Sequence, residues 1–151
     1  MDQGEELRYL ILVVQREGSR QLADTLRPLN LTPSQAEVIQ VLQQYQPMTL
    51  LQLGERLVCE NGSPSRLVKT MVEAGWVEKS PNPDDGRAVL LQLAPAANTI
   101  LPQLNQIEQQ LNDNVSHMAD AETLAMLLDR LWPLVRDTEG GRALVRRKNK
   151  E

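Results

Sequence analysis

Residues 47–93 read PMTLLQLGERLVCENGSPSRLVKTMVEAGWVEKSPNPDDGRAVLLQL. Two apolar rows in this stretch recur at helical spacing, Leu50, Leu53 and Leu57 first, then Leu67, Val68, Met71 and Val72. Between them lies Cys59-Glu60-Asn61-Gly62-Ser63-Pro64. Asn61-Gly62 alone would signal a hairpin. The next two residues overrule that reading, because Ser63 can cap a helix with its hydroxyl and Pro64 suits the first helical position. Gly62 allows the joint a positive φ. On a helical wheel, Leu67, Val68, Met71, Val72 and Ala74 share one side, and Ser65, Arg66, Lys69, Thr70 and Glu73 the other. Gly75 supplies a left-handed stop. Trp76-Val77-Glu78-Lys79 then reads as a strand and Val89-Leu90-Leu91-Gln92-Leu93 as its partner, joined by turn chemistry over residues 80–87. Helix, tight turn, helix and hairpin make a winged helix-turn-helix, so the expected fold class is mainly α (α+β).

Several groups of residues here also resemble the MarR family of bacterial transcriptional regulators. They are Arg66-Leu67-Val68-Lys69 ahead of Glu73-Ala74-Gly75-Trp76-Val77-Glu78-Lys79, and Asp85-Gly86-Arg87 ahead of Val89-Leu90-Leu91-Gln92-Leu93. Leu31-Thr32-Pro33-Ser34-Gln35-Ala36-Glu37-Val38 is similar to the segment that opens the preceding helix in that family. The resemblance spans residues 7–135. It implies a homodimeric, sequence-specific double-stranded DNA-binding transcriptional regulator, expected here to repress. It implies that N- and C-terminal helices form a dimerisation lobe, and that a wing arginine steadied by an aspartate two residues earlier contacts DNA. Arg87 and Asp85 match those two positions. It further implies a small aromatic effector, with Trp132 and Met118 as pocket candidates.

Working outward, residues 7–26 carry Leu7, Leu10, Ile11, Val14, Leu22 and Leu26, an amphipathic helix ended by Pro28 and Asn30-Leu31. Thr32, Pro33 and Gln35 form a capping box opening a helix whose buried stripe is Ala36, Ile39 and Leu42, with Val38 and Val41 beside it. Pro47 closes that helix, and Thr49 starts the first helix of the motif. Pro95 restarts a helix whose stripe is Ile100, Leu101, Leu104, Ile107, Leu111 and Val115. Asp120 caps a last helix bearing Leu124, Leu127, Leu128, Leu131, Leu134 and Val135, which Pro133 should bend or shorten and Gly140-Gly141 should end. The expected division is an N-terminal dimerisation helix (1–30), a winged DNA-binding domain (31–94), C-terminal dimerisation helices (95–138) and a basic, mobile tail (139–151). That tail holds Arg142, Arg146, Arg147, Lys148 and Lys150. The outer helices carry more apolar stripe than one small domain can bury. A second copy is the simplest cover, and a monomeric bundle the alternative.

Composition narrows the function classes. A 41% hydrophobic content suffices for a core, and no run approaches the ~18 apolar residues of a membrane span. The first residues are acidic rather than a secretory signal, and a single cysteine fits a reducing compartment, so a cytoplasmic protein is expected. Neither a ligand-spaced His/Cys/carboxylate cluster around the single His117, nor a nucleophile motif, nor a phosphate loop is present, so neither an enzyme nor a cofactor is expected. The formal charge of −4 argues mildly against DNA, but the distribution of charge decides.

In a helix-turn-helix the second helix enters the major groove with its N-terminal residues toward the bases. That places Ser63, Ser65, Arg66 and Lys69 at the DNA, with Thr70 behind them. Arg66 can read guanine through a two-pronged bond, and Lys69 suits phosphate. Arg87 is the wing candidate for a narrow minor groove, braced by Asp85, and Lys79 would add a phosphate contact at the wing base. A two-fold dimer would read a pseudo-palindromic operator with half-sites one helical turn apart. The alternative is a winged-helix interaction module without DNA binding, favoured by Glu73, Glu78, Asp84 and Asp85. Cys59 is the one candidate redox thiol, with an inert thiol the commoner outcome.

Overall fold

The computed structural model describes residues 1–59 and 62–149. The Asn61 part of the turn and the Lys150 end of the basic cluster lie outside the described residues. Among those described, the α-helices are α1 (Gln3–Leu26), α2 (Pro33–Tyr45), α3 (Leu50–Gly54), α4 (Pro64–Glu73), α5 (Leu101–Ser116), α6 (Ala121–Val135) and α7 (Glu139–Asn149). The strands are β1 (Met48–Thr49), β2 (Val77–Pro81) and β3 (Val89–Leu93), in the antiparallel order β1-β3-β2. The chain forms two compact units, Met1–Pro33 and Ser34–Glu151.

In the first unit, Asp2 caps α1 by accepting the Glu5 N–H at 2.8 Å. The helix closes through a 3₁₀ turn at Arg27–Leu29, after which Asn30 takes a left-handed φ of 54°. Asparagine tolerates that conformation because its short polar side chain can bond locally. Leu26 is buried, whereas Leu7, Leu10, Ile11 and Val14 stay exposed.

In the second unit, α2 lends Val38, Ile39 and Leu42 to a core completed by Leu53, Met71, Leu91 and Leu104. β1 is a strand the sequence pattern does not announce; its Met48 pairs with Leu91, and both are buried. Thr49 and Gln52 form a reciprocal capping box on α3. α3 is shorter than the row ending at Leu57 implies, and tapers through Arg56 N–H to Leu53 O and Leu57 N–H to Gly54 O bonds of 3.3 Å or less. Ser63 caps α4 as expected, accepting the Arg66 N–H at 3.4 Å. Val68 and Met71 face the core, but Ala74, expected on the buried side, is exposed because it is already the C-cap.

The end of α4 fixes the entry to the wing. Trp76 N–H bonds Met71 O and Gly75 N–H bonds Val72 O, each at 3.0 Å, with Gly75 at φ 80°. Those two hydrogen bonds satisfy carbonyls the helix would otherwise leave bare. β2 and β3 then pair from Val77↔Leu93 to Pro81↔Val89.

The C-terminus departs from expectation. A 3₁₀ turn at Pro95–Thr99 precedes α5. Asp120 caps α6 by accepting the Thr123 N–H at 2.8 Å, and that backbone bond holds its carboxyl below the ordinary value. Pro133 sits in the last turn of α6 and does not shorten it, the helix running on to Val135. Beyond it, where a basic tail is expected, residues 139–149 form α7. Gly141 is not a terminator. It lies inside α7 and is buried, and a Cβ there would fall 1.8 Å from Val135 O, so only glycine lets α7 turn back so tightly on the end of α6.

At Gly75 an added Cβ meets nothing within 4 Å, so backbone strain is the whole cost of a side chain there. Gly75→Ala should lower unfolding stability by about 1–2 kcal/mol. Gly86→Ala, also in open space but without a left-handed φ, should stay within about 0.5 kcal/mol of the parent. Urea unfolding midpoints of the two variants check this.

Candidate nucleic-acid interface

α4 separates two chemistries because its apolar positions fall on one arc. With Val68 and Met71 anchored, Ser63, Ser65, Arg66, Lys69 and Thr70 lie on the opposite, solvent-facing side. Their polar groups are not equally available. The Ser63 oxygen accepts the capping bond, leaving its hydroxyl proton to donate. The Thr70 hydroxyl donates back to Arg66 O at 3.0 Å, so it can offer a partner only its acceptor side. Lys69 Nζ stands 3.9 Å from a Glu73 oxygen, both side chains well exposed, a pairing worth about 0–1 kcal/mol that a phosphate would readily replace. Among the described residues, no carboxylate lies within ion-pair distance of Arg66, Lys79 or Arg87.

The wing loop is held by its own side chains. Asn82 Oδ1 accepts the Asp84 N–H and Asp85 Oδ1 the Arg87 N–H, each at 3.0 Å, while Ala88 N–H closes on Asp85 O. Asp85 therefore fixes the backbone from which Arg87 projects, two residues ahead of β3. Lys79 stands exposed opposite Leu91 at the middle of the hairpin. Glu78 is engaged by Gln92 Nε2 across the ladder.

Behind the motif lies a network that sequence reasoning missed. Glu37 is 5% exposed, in the middle of the apolar stripe of α2. Its Oε1 accepts the Val58 N–H at 2.8 Å and its Oε2 the Cys59 N–H at 2.7 Å, the two amides entering the turn between α3 and α4. Arg147 of α7 donates to Oε1 through Nη2, and through Nε to Arg56 O at 2.7 Å. Tyr45 Oη donates to Arg147 O at 2.8 Å. The one signal in the sequence is a carboxylate inside an otherwise apolar run, which must find compensating partners when buried.

Arg142 and Arg146 of α7 line one recess together with Ser63, Pro64 and Ser65 at the start of α4, and Arg146 also meets Glu55 at 3.5 Å. A second cavity, of about 580 Å³, is lined by Trp132 of α6, by Arg136 at its C-cap and by Arg142, Val145, Arg146 and Lys148 of α7. Lys148 Nζ lies 5.0 Å from the Trp132 ring centre. Met118, the other pocket candidate, is exposed and lines neither cavity.

A recognition-type helix with a polar outer face, joined by a sharp left-handed stop to a stiffened hairpin, defines a winged-helix DNA-binding domain. Residues 31–97 match the family model described as a winged helix DNA-binding domain. The multiple antibiotic resistance protein MarR of Escherichia coli K12 is 31% identical over 132 residues, covering 84% of this chain and 91% of that protein. Its counterpart in Salmonella typhimurium is 30% identical over the same shares. The crystal structure of a mutant E. coli MarR complexed with operator DNA is similar at a TM-score of 0.75, with 29% identity, over 89% of this chain and 99% of that one. The chain belongs to the MarR family of transcriptional regulators.

Cys59 sits where the turn meets Glu37. The residue is exposed as a whole, yet desolvation first, and the Glu37 carboxylate second, push its thiol up to about 11. Thiolate is the reactive form, so this environment suppresses rather than creates a sensor. Iodoacetamide at pH 8 should modify Cys59 at least about tenfold more slowly than free cysteine, with the rate still climbing at pH 10. A plateau below pH 9 would contradict the assignment.

Proposed function

We propose that this chain is a homodimeric repressor that reads a pseudo-palindromic DNA duplex. The observation that carries the reading is the outer face of α4: Ser63, Ser65, Arg66 and Lys69 stand toward solvent while the opposite face is locked in the core. In this reading Arg66 meets a guanine edge, Ser63, Ser65 and Lys69 meet backbone phosphates or adjacent bases, and Thr70 accepts from a base amine. Arg87, on a backbone fixed by Asp85, enters the minor groove, and Lys79, midway along the hairpin, meets phosphate. Residues 31–94 serve as the DNA-binding domain.

The second copy is needed by the flanking helices. Leu7, Leu10, Ile11 and Val14 on α1, and Leu127, Leu128, Leu131 and Leu134 on α6, are each between 46% and 70% exposed in the single chain. α6 buries none of its residues. Apolar faces of this extent on surface helices ordinarily mark an interface. The proposed dimer covers both, making 1–30 and 95–138 its dimerisation elements. A small aromatic anion is the proposed effector, seated against Trp132 among the α6 and α7 cations. The reading is of a cytoplasmic regulator without turnover; among the described residues no helix is long and apolar enough to cross a membrane.

In vitro selection from a random duplex library should return a two-fold repeat with half-sites about one helical turn apart. Arg66→Ala should then cost about 1–3 kcal/mol and relax preference at one position per half-site. Arg87→Ala should weaken binding with least loss where the minor groove is wide. Failure to enrich any duplex at low salt would favour the interaction-module alternative.

Sedimentation equilibrium should give twice the chain mass at micromolar concentration. Leu10→Asp combined with Leu131→Asp should give the single-chain mass and cost at least about tenfold in duplex affinity, because each half-site is then bound alone.

A further inference from the structure

The helix-turn-helix does not hold its own turn. The amides of Val58 and Cys59 are satisfied by Glu37, a residue of α2, and Glu37 is in turn neutralised by Arg147, a residue of α7. Arg147 also donates to Arg56 O, the last carbonyl before Leu57 and that turn. Tyr45, at the end of α2, clamps the Arg147 carbonyl, and Gly141 and Ala143 are buried where α7 seats. α7 therefore reaches the turn ahead of the recognition helix through the Arg147–Glu37 pair, and the end of α3 through Arg146 and Glu55.

We infer that α7 is a brace for the recognition helix, and that Arg147 and Glu37 are positioning residues for DNA binding, touching no DNA themselves. The inference rests on the proposed DNA-binding reading for its functional consequence, but not for its structural one. With Arg147 docked, both Glu37 oxygens are aimed at the turn and α4 starts from a fixed point. With α7 undocked, the Glu37 carboxylate lacks its counter-charge, turns toward water and releases the two amides. Ser63 and Arg66 then lose the frame that aims them together.

The full-length protein and the duplex selected by it provide the test. Arg147→Ala should weaken that duplex about tenfold or more while leaving the slope of log affinity against log salt unchanged, because no phosphate contact is lost. Arg147→Lys, which restores the charge but not the fork, should recover part of the affinity. Gly141→Ala, which cannot seat α7, should reproduce Arg147→Ala without changing any charge, and Gly140→Ala, in open space, should not. A slope reduced by about one in Arg147→Ala would make Arg147 a phosphate contact and overturn the positioning role. So would wild-type affinity in both Arg147→Ala and Gly141→Ala.

A measurement on the unaltered chain decides the matter if the variants do not fold. Under rising denaturant, hydrogen exchange at Val58 and Cys59 should open together with the amides of α7 and ahead of those of Leu42 and Met71. Turn amides that stay protected after α7 has exchanged would overturn the brace. A wild-type protein that selects no duplex would sink the DNA-binding reading alone, leaving the exchange experiment to judge the brace.

Discussion

The structure of the larger unit depends on one buried negative charge. A carboxylate inside an apolar stripe is costly unless it is paired and fully hydrogen-bonded, and breaking such a pair by removing one partner typically costs about 3–5 kcal/mol. Glu37 meets that demand with two backbone amides and a guanidinium, from separate parts of the chain. The amides are not incidental donors. They belong to Val58 and Cys59, where α3 has ended and no helical carbonyl is left for them, so Glu37 supplies the acceptors that the helix does not. One side chain thus meets two obligations, its own desolvation and that of the turn, and the positions of α2, of the turn and of α7 become mutually dependent.

This arrangement frees α4 from structural duties on its outer face. Its buried face is fixed by Val68 and Met71, its start by Ser63 and Pro64, its end by the Gly75 stop, and the turn before it from behind. On the outer face only Ser63, which caps the helix, and Thr70, which bonds back to Arg66 O, serve the helix itself; Ser65, Arg66 and Lys69 are left to a partner. The same logic explains why the net charge of −4 is a poor guide. Glu37 is committed to Arg147, Glu55 to Arg146, Glu78 to Gln92, and Asp85 to a backbone amide. Such pairing cancels charge one for one, so placement decides: Arg66, Lys79 and Arg87 face solvent with no carboxylate within ion-pair distance among the described residues.

The range of each interaction decides whether the sequence disclosed it or hid it. The core face of α2, the two faces of α4, the Ser63-Pro64 start, the Gly75 stop and the β2–β3 hairpin are written in spacings of a few residues, and each is legible. β1 is not, since two residues carry no periodicity and its pairing with β3 joins Met48 to the distant Leu91. The Glu37–Arg147 pair joins residues 110 apart, and no local pattern announces such a partner. α7 is hidden by a different ambiguity. A Gly-Gly step reads as the end of a helix, and it does lie between α6 and the body of a new one, but the physical reason is the close approach of Gly141 to Val135 O rather than a disordered exit. The arginines that make the segment look like a solvated tail include the one that docks it.

The exposed face of α6 and the docked face of α7 are joined at that same close approach. An isolated helix of about 15 residues is marginal in water, so α6, fifteen residues long with none buried, draws its stability from whatever covers it. In the proposed dimer, that cover is the second copy. Because Gly141 leaves no slack between the helices, the orientation of α6 constrains that of α7, and through Arg147 the turn ahead of α4. The cavity lined by Trp132 and the α7 cations lies at this joint. A ligand shifts an equilibrium only by binding its two states unequally. In the proposed dimer, a group wedged between α6 and α7 would meet that condition, since its walls would belong to one helix held by the second copy and another held by Glu37. In that proposed dimer, the route from the dimer contact to the recognition helix would run through α6, α7 and the Arg147–Glu37 pair. Its weakest link is the place where a buried charge must be either fully compensated or released to water.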